Sequence, residues 1–167
     1  TVSAANLNTI DGITTVAIEA GNVTKITGTY DQVTTLYNST GVNNLGNEAI
    51  TISDELTVSQ ANVIDGLTTG AVTADISTTE SVDSLKTLNG TNNAYTIVIS
   101  SADATGRTAA DFNAINDLTT ATIDATAVTS LTLDNISNIN TLLPARNDSA
   151  QFTGTSISNL SSVSVFN

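Results

Sequence analysis

The stretch LTVSQANVIDGLTTGAVTADI, at residues 56–76, decides the fold, because the rest of the chain is built from variants of it. Its centre, Ile64-Asp65-Gly66-Leu67-Thr68-Thr69, stands earlier as Ile10-Asp11-Gly12-Ile13-Thr14-Thr15 and later as Ile115-Asn116-Asp117-Leu118-Thr119-Thr120. An alternating apolar run ending in alanine follows each copy: Val16-Ala17-Ile18-Glu19-Ala20, Ala71-Val72-Thr73-Ala74 and Thr122-Ile123-Asp124-Ala125. Copies recurring about every 50 residues mark a stacked repeat architecture, in which one unit cannot bury its apolar face alone.

Outward from that stretch, short helices and short strands alternate. Residues 2–11 carry Val2, Ala5, Leu7 and Ile10 at helical spacing, with Ser3 placed as an N-cap and Gly12 as a stop. Residues 15–20 alternate as a strand with Val16, Ile18 and Ala20 on one face, and residues 22–27 form a second short strand with Val23 and Ile26 inward. Thr29 caps a helix through Tyr37 that ends near Asn38 or Gly41, and residues 49–53 return as a strand. The reference unit gives a helix over 58–66 and a strand over 71–76. Residues 78–81 open a helix through Val82, Leu85 and Leu88, terminated at Asn89-Gly90, and residues 94–100 form the clearest strand. Residues 108–117 are the third helix copy, followed by a strand at 121–125 and an extra one at 128–133. Asp134 caps a helix to about Leu143, which Pro144, the only proline, stops. Strands at 151–155 and 163–166 close the chain.

The fold class this predicts is an α/β solenoid: stacked coils of one short helix and one short strand, with a parallel β-sheet, leucine-rich-repeat-like, and right-handed by the general rule for parallel crossovers. Its extent is a single domain, 1–167, of about six coils, with repeat copies at roughly 1–55, 56–107 and 108–155 and a terminal coil at 156–167. Leu56, Leu67, Leu85, Leu88, Leu118, Leu131 and Leu142 are expected to line the interior with the Val and Ile positions. The competing fold, a doubly wound α/β sheet, has longer helices and lacks internal repeats.

Composition agrees. Across 167 residues there is no Cys, His, Met or Trp, and the aromatics are Tyr30, Tyr37, Tyr95, Phe112, Phe152 and Phe166. Small branched side chains suit a narrow core repeated along an axis better than a round one. Four basic residues against 16 acidic give a net charge of −12, which repels a phosphate backbone and an anionic membrane surface. No apolar run is long enough to span a bilayer. Thr1 is not a natural start, so the chain is expected to be a mature product or an excised fragment.

The run Ile26-Thr27-Gly28-Thr29-Tyr30-Asp31-Gln32-Val33-Thr34-Thr35-Leu36-Tyr37, with Gly46-Asn47-Glu48-Ala49-Ile50-Thr51-Ile52-Ser53-Asp54 after it, resembles repeats of very long surface or secreted proteins of marine cyanobacteria. The unit at 58–76, with Asn93-Ala94-Tyr95-Thr96-Ile97, is similar to their other common variant. The resemblance covers nearly the whole chain and departs most over 126–167. It implies an extracellular or cell-surface location and a structural or adhesive role, and it supplies no catalytic residue.

The chemistry in the sequence is thin. Without His or Cys, the usual zinc sites, histidine bases and thiol nucleophiles cannot be built. A Ser-Lys arrangement has Lys25 and Lys86 to draw on, and a carboxylate pair for glycoside hydrolysis is formally available. Asp11 and Asp65, however, recur at matching repeat positions, which suits turn chemistry rather than a catalytic pair that occurs once. No catalytic, cofactor-binding or metal residue is therefore assigned. Calcium is the one cofactor the composition suits, through Asp54-Glu55, Asp75, Asp83, Asp103, Asp117, Asp124, Asp134 and Asp148, but neither an EF-hand loop nor a calcium nonapeptide is present. Thr15, Thr51, Thr73, Thr96 and Thr122 raise an ice-binding face, without the strict repeat such a face needs.

The expectation is a non-enzymatic structural repeat protein of an extracellular surface layer, fibre or filament, associating with itself or with neighbouring repeats end to end, without nucleic-acid binding or membrane insertion. The alternative is an adhesin or phage-fibre-type module that recognises a surface glycan through Tyr30, Tyr37 and Tyr95.

Overall fold

The computed structural model describes residues 1–132, 135–147 and 152–153. Alternating helices and strands run the length of these residues. The strands are β1 (Val2–Ser3), β2 (Ile18–Glu19), β3 (Lys25–Gly28), β4 (Val42–Asn43), β5 (Ala49–Ile52), β6 (Val72–Asp75), β7 (Ala94–Val98), β8 (Ile123–Asp124) and β9 (Phe152–Thr153). The helices are α1 (Ala4–Asp11), α2 (Tyr30–Asn38), α3 (Val58–Asp65), α4 (Val82–Leu85), α5 (Ala109–Asn116) and α6 (Ile136–Asn147), with a 3-10 turn at Ser101–Asp103.

Among the described residues, seven strands form one sheet in the order β1-β3-β5-β6-β7-β8-β9, and β2 pairs with β4 separately. Every pairing is parallel. The register steps are short and regular: Val2 faces Ile26, Ile26 faces Ile50, Ile50 faces Val72, Ala74 faces Tyr95 and Ile97 faces Ile123. One helix lies between each strand of the main sheet and the next as far as β8, and again between β8 and β9, so each strand, helix and return can be treated as one unit.

Period-2 alternation fixes which face is buried. Ile26, Ile50, Val72, Tyr95, Ile97 and Ile123 are fully buried, and the helices contribute Val33, Leu36, Ala61, Ile64, Leu85, Phe112 and Ile115. Burying one such aliphatic side chain is worth about 1.5–3 kcal/mol. Leu56, Leu85, Leu88 and Leu142 line this core as expected, whereas Leu67, Leu118 and Leu131 are only partly buried beside it. Nor is the core purely aliphatic, since Tyr95 and Phe112 are both fully enclosed.

Helix starts follow local chemistry. Thr29, Thr57 and Thr108 each accept a hydrogen bond from the backbone three residues on, and Gln32, Gln60 and Asp111 reach back to the cap, completing three capping boxes. Ser3 occupies the N-cap of α1 but its side chain makes no capping bond, and Val2–Ser3 is strand rather than helix because it pairs with Ile26–Thr27. Gly12 ends α1 at φ −68°, a right-handed conformation, so it does not act as a left-handed stop.

Four further expectations change. The strand expected over 15–20 shrinks to Ile18–Glu19, and Val16 is exposed because nothing pairs outside the two residues that face Val42–Asn43. The strand at 22–27 forms three residues later, as β3, with Val23 only partly buried. Over 128–132, the described part of the strand expected at 128–133, there is a single bridge, Leu131 to Arg107, in place of a strand. Finally, α6 runs through Pro144 to Asn147: a proline removes the bond to the carbonyl four residues earlier but leaves the following residues able to keep helical dihedrals. The expected cap at Asp134, the strand at 163–166 and the terminal coil at 156–167 lie outside the described residues.

Close approach of neighbouring units falls on Gly70, where a Cβ would run into the backbone of Glu48 and Ala49. Gly66, at φ −68° on the C-cap of α3, has ordinary space around it. Gly70→Ala is expected to lower the urea midpoint by an amount equivalent to about 1–3 kcal/mol, as overpacking does. Gly66→Ala is expected to be neutral or to raise stability by about 0.5 kcal/mol. Equal effects at the two glycines would contradict the close packing at Gly70.

Candidate functional site: the polar seam between units

Polar side chains concentrate where one unit meets the next. The first N–H of α2, at Tyr30, donates to Asp54 Oδ1 at 2.9 Å; that of α3, at Val58, to Glu80 Oε1 at 2.9 Å; that of α4, at Val82, to Asp103 Oδ2 at 2.8 Å. These contacts span 24, 22 and 21 residues. The same steps separate the register partners Ile26 and Ile50, Ile50 and Val72, and Ala74 and Tyr95. Each carboxylate therefore stands one unit beyond the helix start it caps, where an anion also meets the positive end of the helix dipole.

The repeated signature supplies a second set of bonds. Asn8, Asn62 and Asn113, each two residues before the signature isoleucine, donate from Nδ2 to the carbonyls of Gln32, Thr87 and Asn138 at 2.8–3.0 Å. Asp11 accepts from the Ser39 hydroxyl at 2.6 Å, and Asp65 from Asn93 Nδ2 at 2.7 Å. Thr68 donates to Glu48 O at 2.6 Å and Thr119 to Tyr95 O at 2.8 Å, while the N–H groups of Thr69 and Thr120 donate to Gly46 O and Asn93 O. Asp11 and Asp65 thus serve turns and unit contacts.

Asn93 is the most connected of these groups. Only 3% exposed, it accepts from the Val72 N–H at 2.8 Å and donates to Asp65, to Tyr95 Oη at 2.9 Å and to Asn89 O at 3.3 Å. Burial pushes the Tyr95 phenol well above its ordinary range, and the Asp65 charge adds to this against the Asn93 hydrogen bond. Beside this hub lies a groove of roughly 440 Å³ whose walls include Asp65, Thr68, Gly90, Thr91, Asn92 and Asn93. Hydroxyl, amide and carboxylate groups can hydrogen-bond a polar ligand there.

An ionic cluster ties α4 to α5. Lys86 Nζ lies 2.9 Å from Asp83 and 2.6 Å from Asp111, and Arg107 pairs with Asp83 at 2.8 Å and with Asp103. The hydrogen bond to Asp111, and then that to Asp83, raises the Lys86 pKa. A Ser-Lys mechanism needs the reverse, an amine made easier to deprotonate. Burial acts to raise the Asp111 pKa, but its bonds from Lys86 and from Thr108 outweigh this and hold it below the ordinary value. The hydrogen bond from Arg107, then that from Lys86, likewise lowers the Asp83 pKa.

The acids considered for calcium are dispersed. Asp54, Asp83 and Asp103 are engaged as described, Asp124 accepts from the Thr126 N–H, and among the described residues no three carboxylates converge to hold a metal. Asp134 and Asp148 lie outside those residues. Of the threonines, Thr51 and Thr73 are register partners, and Ser3 and Thr27 extend their row before it ends at Ala94. Thr15 and Thr122 are not in strands, and Thr96 faces Asp75. The three tyrosines offer no open platform: Tyr95 is enclosed, and Tyr30 and Tyr37 pack partly buried against the core. Among the described residues no helix is long and apolar enough to cross a membrane.

No family model, curated protein or solved structure matches the chain.

Asn93→Ala removes the partner of a buried N–H and of Asp65 together, and is expected to cost about 2–3 kcal/mol in denaturant unfolding. Asn62→Ala, at a more exposed seam position, is expected to cost about 1 kcal/mol. A cost at Asn93 no larger than at Asn62 would contradict the hub. For Asp111, the lowered folded pKa means a contribution present above the ordinary Asp value and lost as pH falls through the folded one. The raised Lys86 pKa means a contribution present below the ordinary Lys value and lost as pH rises through the folded one. The melting-temperature gap between the wild type and Asp111→Asn should therefore be widest near neutral pH and close as pH falls below about 4. A gap constant from pH 7 to pH 3 would remove the ionic contribution.

Proposed function

We propose that this chain is a non-enzymatic structural repeat protein of an extracellular surface layer, fibre or filament, folded as a solenoid and able to join end to end through its sheet edges. The observation that carries the reading is the seam: each strand of the main sheet pairs in parallel with the next strand of that sheet along the chain, and the same carboxylate-to-helix bond recurs at three consecutive helix starts. Such an arrangement extends by addition of units and resists bending through a continuous hydrogen-bonded sheet.

Other features support it. The described acidic groups are largely engaged as caps, turn acceptors and ion pairs, and the chain has no histidine or cysteine to activate a nucleophile. The resemblance to repeats of long cyanobacterial surface proteins supports the extracellular location and the structural role. The polar groove beside Asn93 favours a second reading, a module that binds a surface glycan by hydrogen bonds, although it lacks the aromatic platform that sugar faces usually stack on.

Negative-stain electron microscopy of the purified chain, across protein concentration and with or without calcium, tests the proposal. Uniform fibres are the expected result. Short monodisperse particles at every concentration would reject self-assembly, and fibres that need calcium would restore a role for the acidic side chains as metal ligands.

A further inference from the structure

Asn89–Gly90 is the one Asn-Gly step in the sequence. It lies in the turn between α4 and β7, where Gly90 forms part of the groove wall beside Asn93. Asparagine before glycine is chemically labile, because a glycine nitrogen unshielded by a neighbouring Cβ can attack the asparagine side-chain amide. A fold suppresses that reaction by engaging the nitrogen or the carboxamide. Here it does neither. Asn89 is exposed, and its backbone is held: its N–H donates to Asn62 Oδ1 at 2.7 Å and its carbonyl accepts from Asn93 Nδ2 at 3.3 Å. Among the described residues, the Asn89 carboxamide and the Gly90 N–H make no hydrogen bond.

The two Asp-Gly steps give the contrast. Gly12 and Gly66 close α1 and α3 in right-handed conformation, with their N–H groups bonded to Asn8 O at 3.0 Å and Asn62 O at 3.1 Å. Attack at either step requires the helix end to open. Nor can the fold exchange Gly90 for a residue that would slow the reaction. Gly90 stands at φ +85°, and a Cβ there would run into Asn93 Nδ2 and Asp65 Oδ1. The residue that the Asn93 hub demands is the one that makes Asn89 labile.

We propose that Asn89 is a site of self-modification, whose carboxamide is converted in the folded protein, through a cyclic imide with Gly90, to aspartate and isoaspartate. The Gly90 nitrogen bonds to Asn89 Cγ and loses its proton, and the side-chain amide leaves as ammonia. Water then opens the imide. Cleavage between the nitrogen and Cγ gives aspartate. Cleavage between the nitrogen and the former main-chain carbonyl carbon gives isoaspartate, whose chain runs through Cβ and Cγ. Water in and ammonia out balance the reaction. Either product adds negative charge to a chain already at −12. In isoaspartate the carbonyl that accepts from Asn93 becomes part of a free carboxylate. Asn93 Nδ2 also donates to Asp65 Oδ1 at 2.7 Å, so a second carboxylate is brought to an amide that already serves one. Repulsion between the two loosens the contact between these units.

The test incubates folded wild type, guanidinium-unfolded wild type and folded Asn89→Gln in mildly alkaline buffer. Peptide mapping with fragmentation that identifies isoaspartate follows each. Glutamine keeps an amide at this exposed position and cyclises far more slowly. Folded wild type should lose Asn89 within about threefold of the unfolded rate, because a step that needs no opening is not slowed by stability. Isomerisation at Asp65 should be at least about tenfold slower folded than unfolded, because its helix end must open first. Asn89 that stays intact in the folded protein while the unfolded chain loses it overturns the proposal. So does deamidation undiminished in Asn89→Gln, which would assign it to Asn92 or Asn93. Aged wild type melting below aged Asn89→Gln supports the coupling to the hub, and coincident melting overturns that coupling.

Discussion

Three consecutive units of this chain leave a helix N–H that is bonded by the unit after it. A helix start exposes unbonded donors, and a capping box satisfies only some of them. Here the first N–H of α2, α3 and α4 is taken by a carboxylate from the next unit. The acid sits at the same sequence step as the strand pairing, so helix layer and sheet share one register. A one-residue slip would withdraw Asp54, Glu80 or Asp103 from its donor and also turn Ile26, Ile50 or Val72 away from the core. Two independent penalties therefore fall on the same error.

This arrangement also accounts for how a chain of net charge −12 folds compactly. Self-repulsion among acids opposes folding, but an acid placed at a helix N-terminus meets partial positive charge instead. Asp103 shows the limit of the device. At 4% exposure it accepts from the Val82 N–H and from the Arg107 guanidinium together, so its buried charge is matched on both oxygens. Arg107 and Lys86 each bridge two carboxylates, which spreads scarce positive charge over the region where acids are densest.

Much of this was legible in the chain. Helices are expected from Thr29 through Tyr37, over 58–66 and over 108–117, from local apolar spacing and from Thr29 as a cap, and they lie at Tyr30–Asn38, Val58–Asp65 and Ala109–Asn116. Parallel pairing followed from the direction of every helix-to-strand step. What escaped was decided between units. The shortness of β2 and β8 depends on how many backbone groups find a partner, which residues 15–20 and 121–125 do not encode by themselves. The core position of Tyr95 depends on Asn93 meeting its hydroxyl. The use of Asp54, Glu80 and Asp103 could have been found by looking for an acid one repeat step beyond each helix start. The spacing of Thr57 to Gln60 and of Thr108 to Asp111 was also a readable capping-box signal.

The bonds of the seam run both ways. Helix N–H groups and turn carbonyls of one unit meet carboxylates and threonine hydroxyls of the next. Asn8 and Asn62 add amide donors, and Asp11 and Asp65 add carboxylate acceptors, on the side that faces the following unit. Each face therefore carries donors and acceptors, which leaves few buried polar groups without a partner. Units of 21, 22 and 24 residues coexist in one sheet, and the spacing from helix start to capping acid takes the same three values, so the helix layer keeps step with the strands.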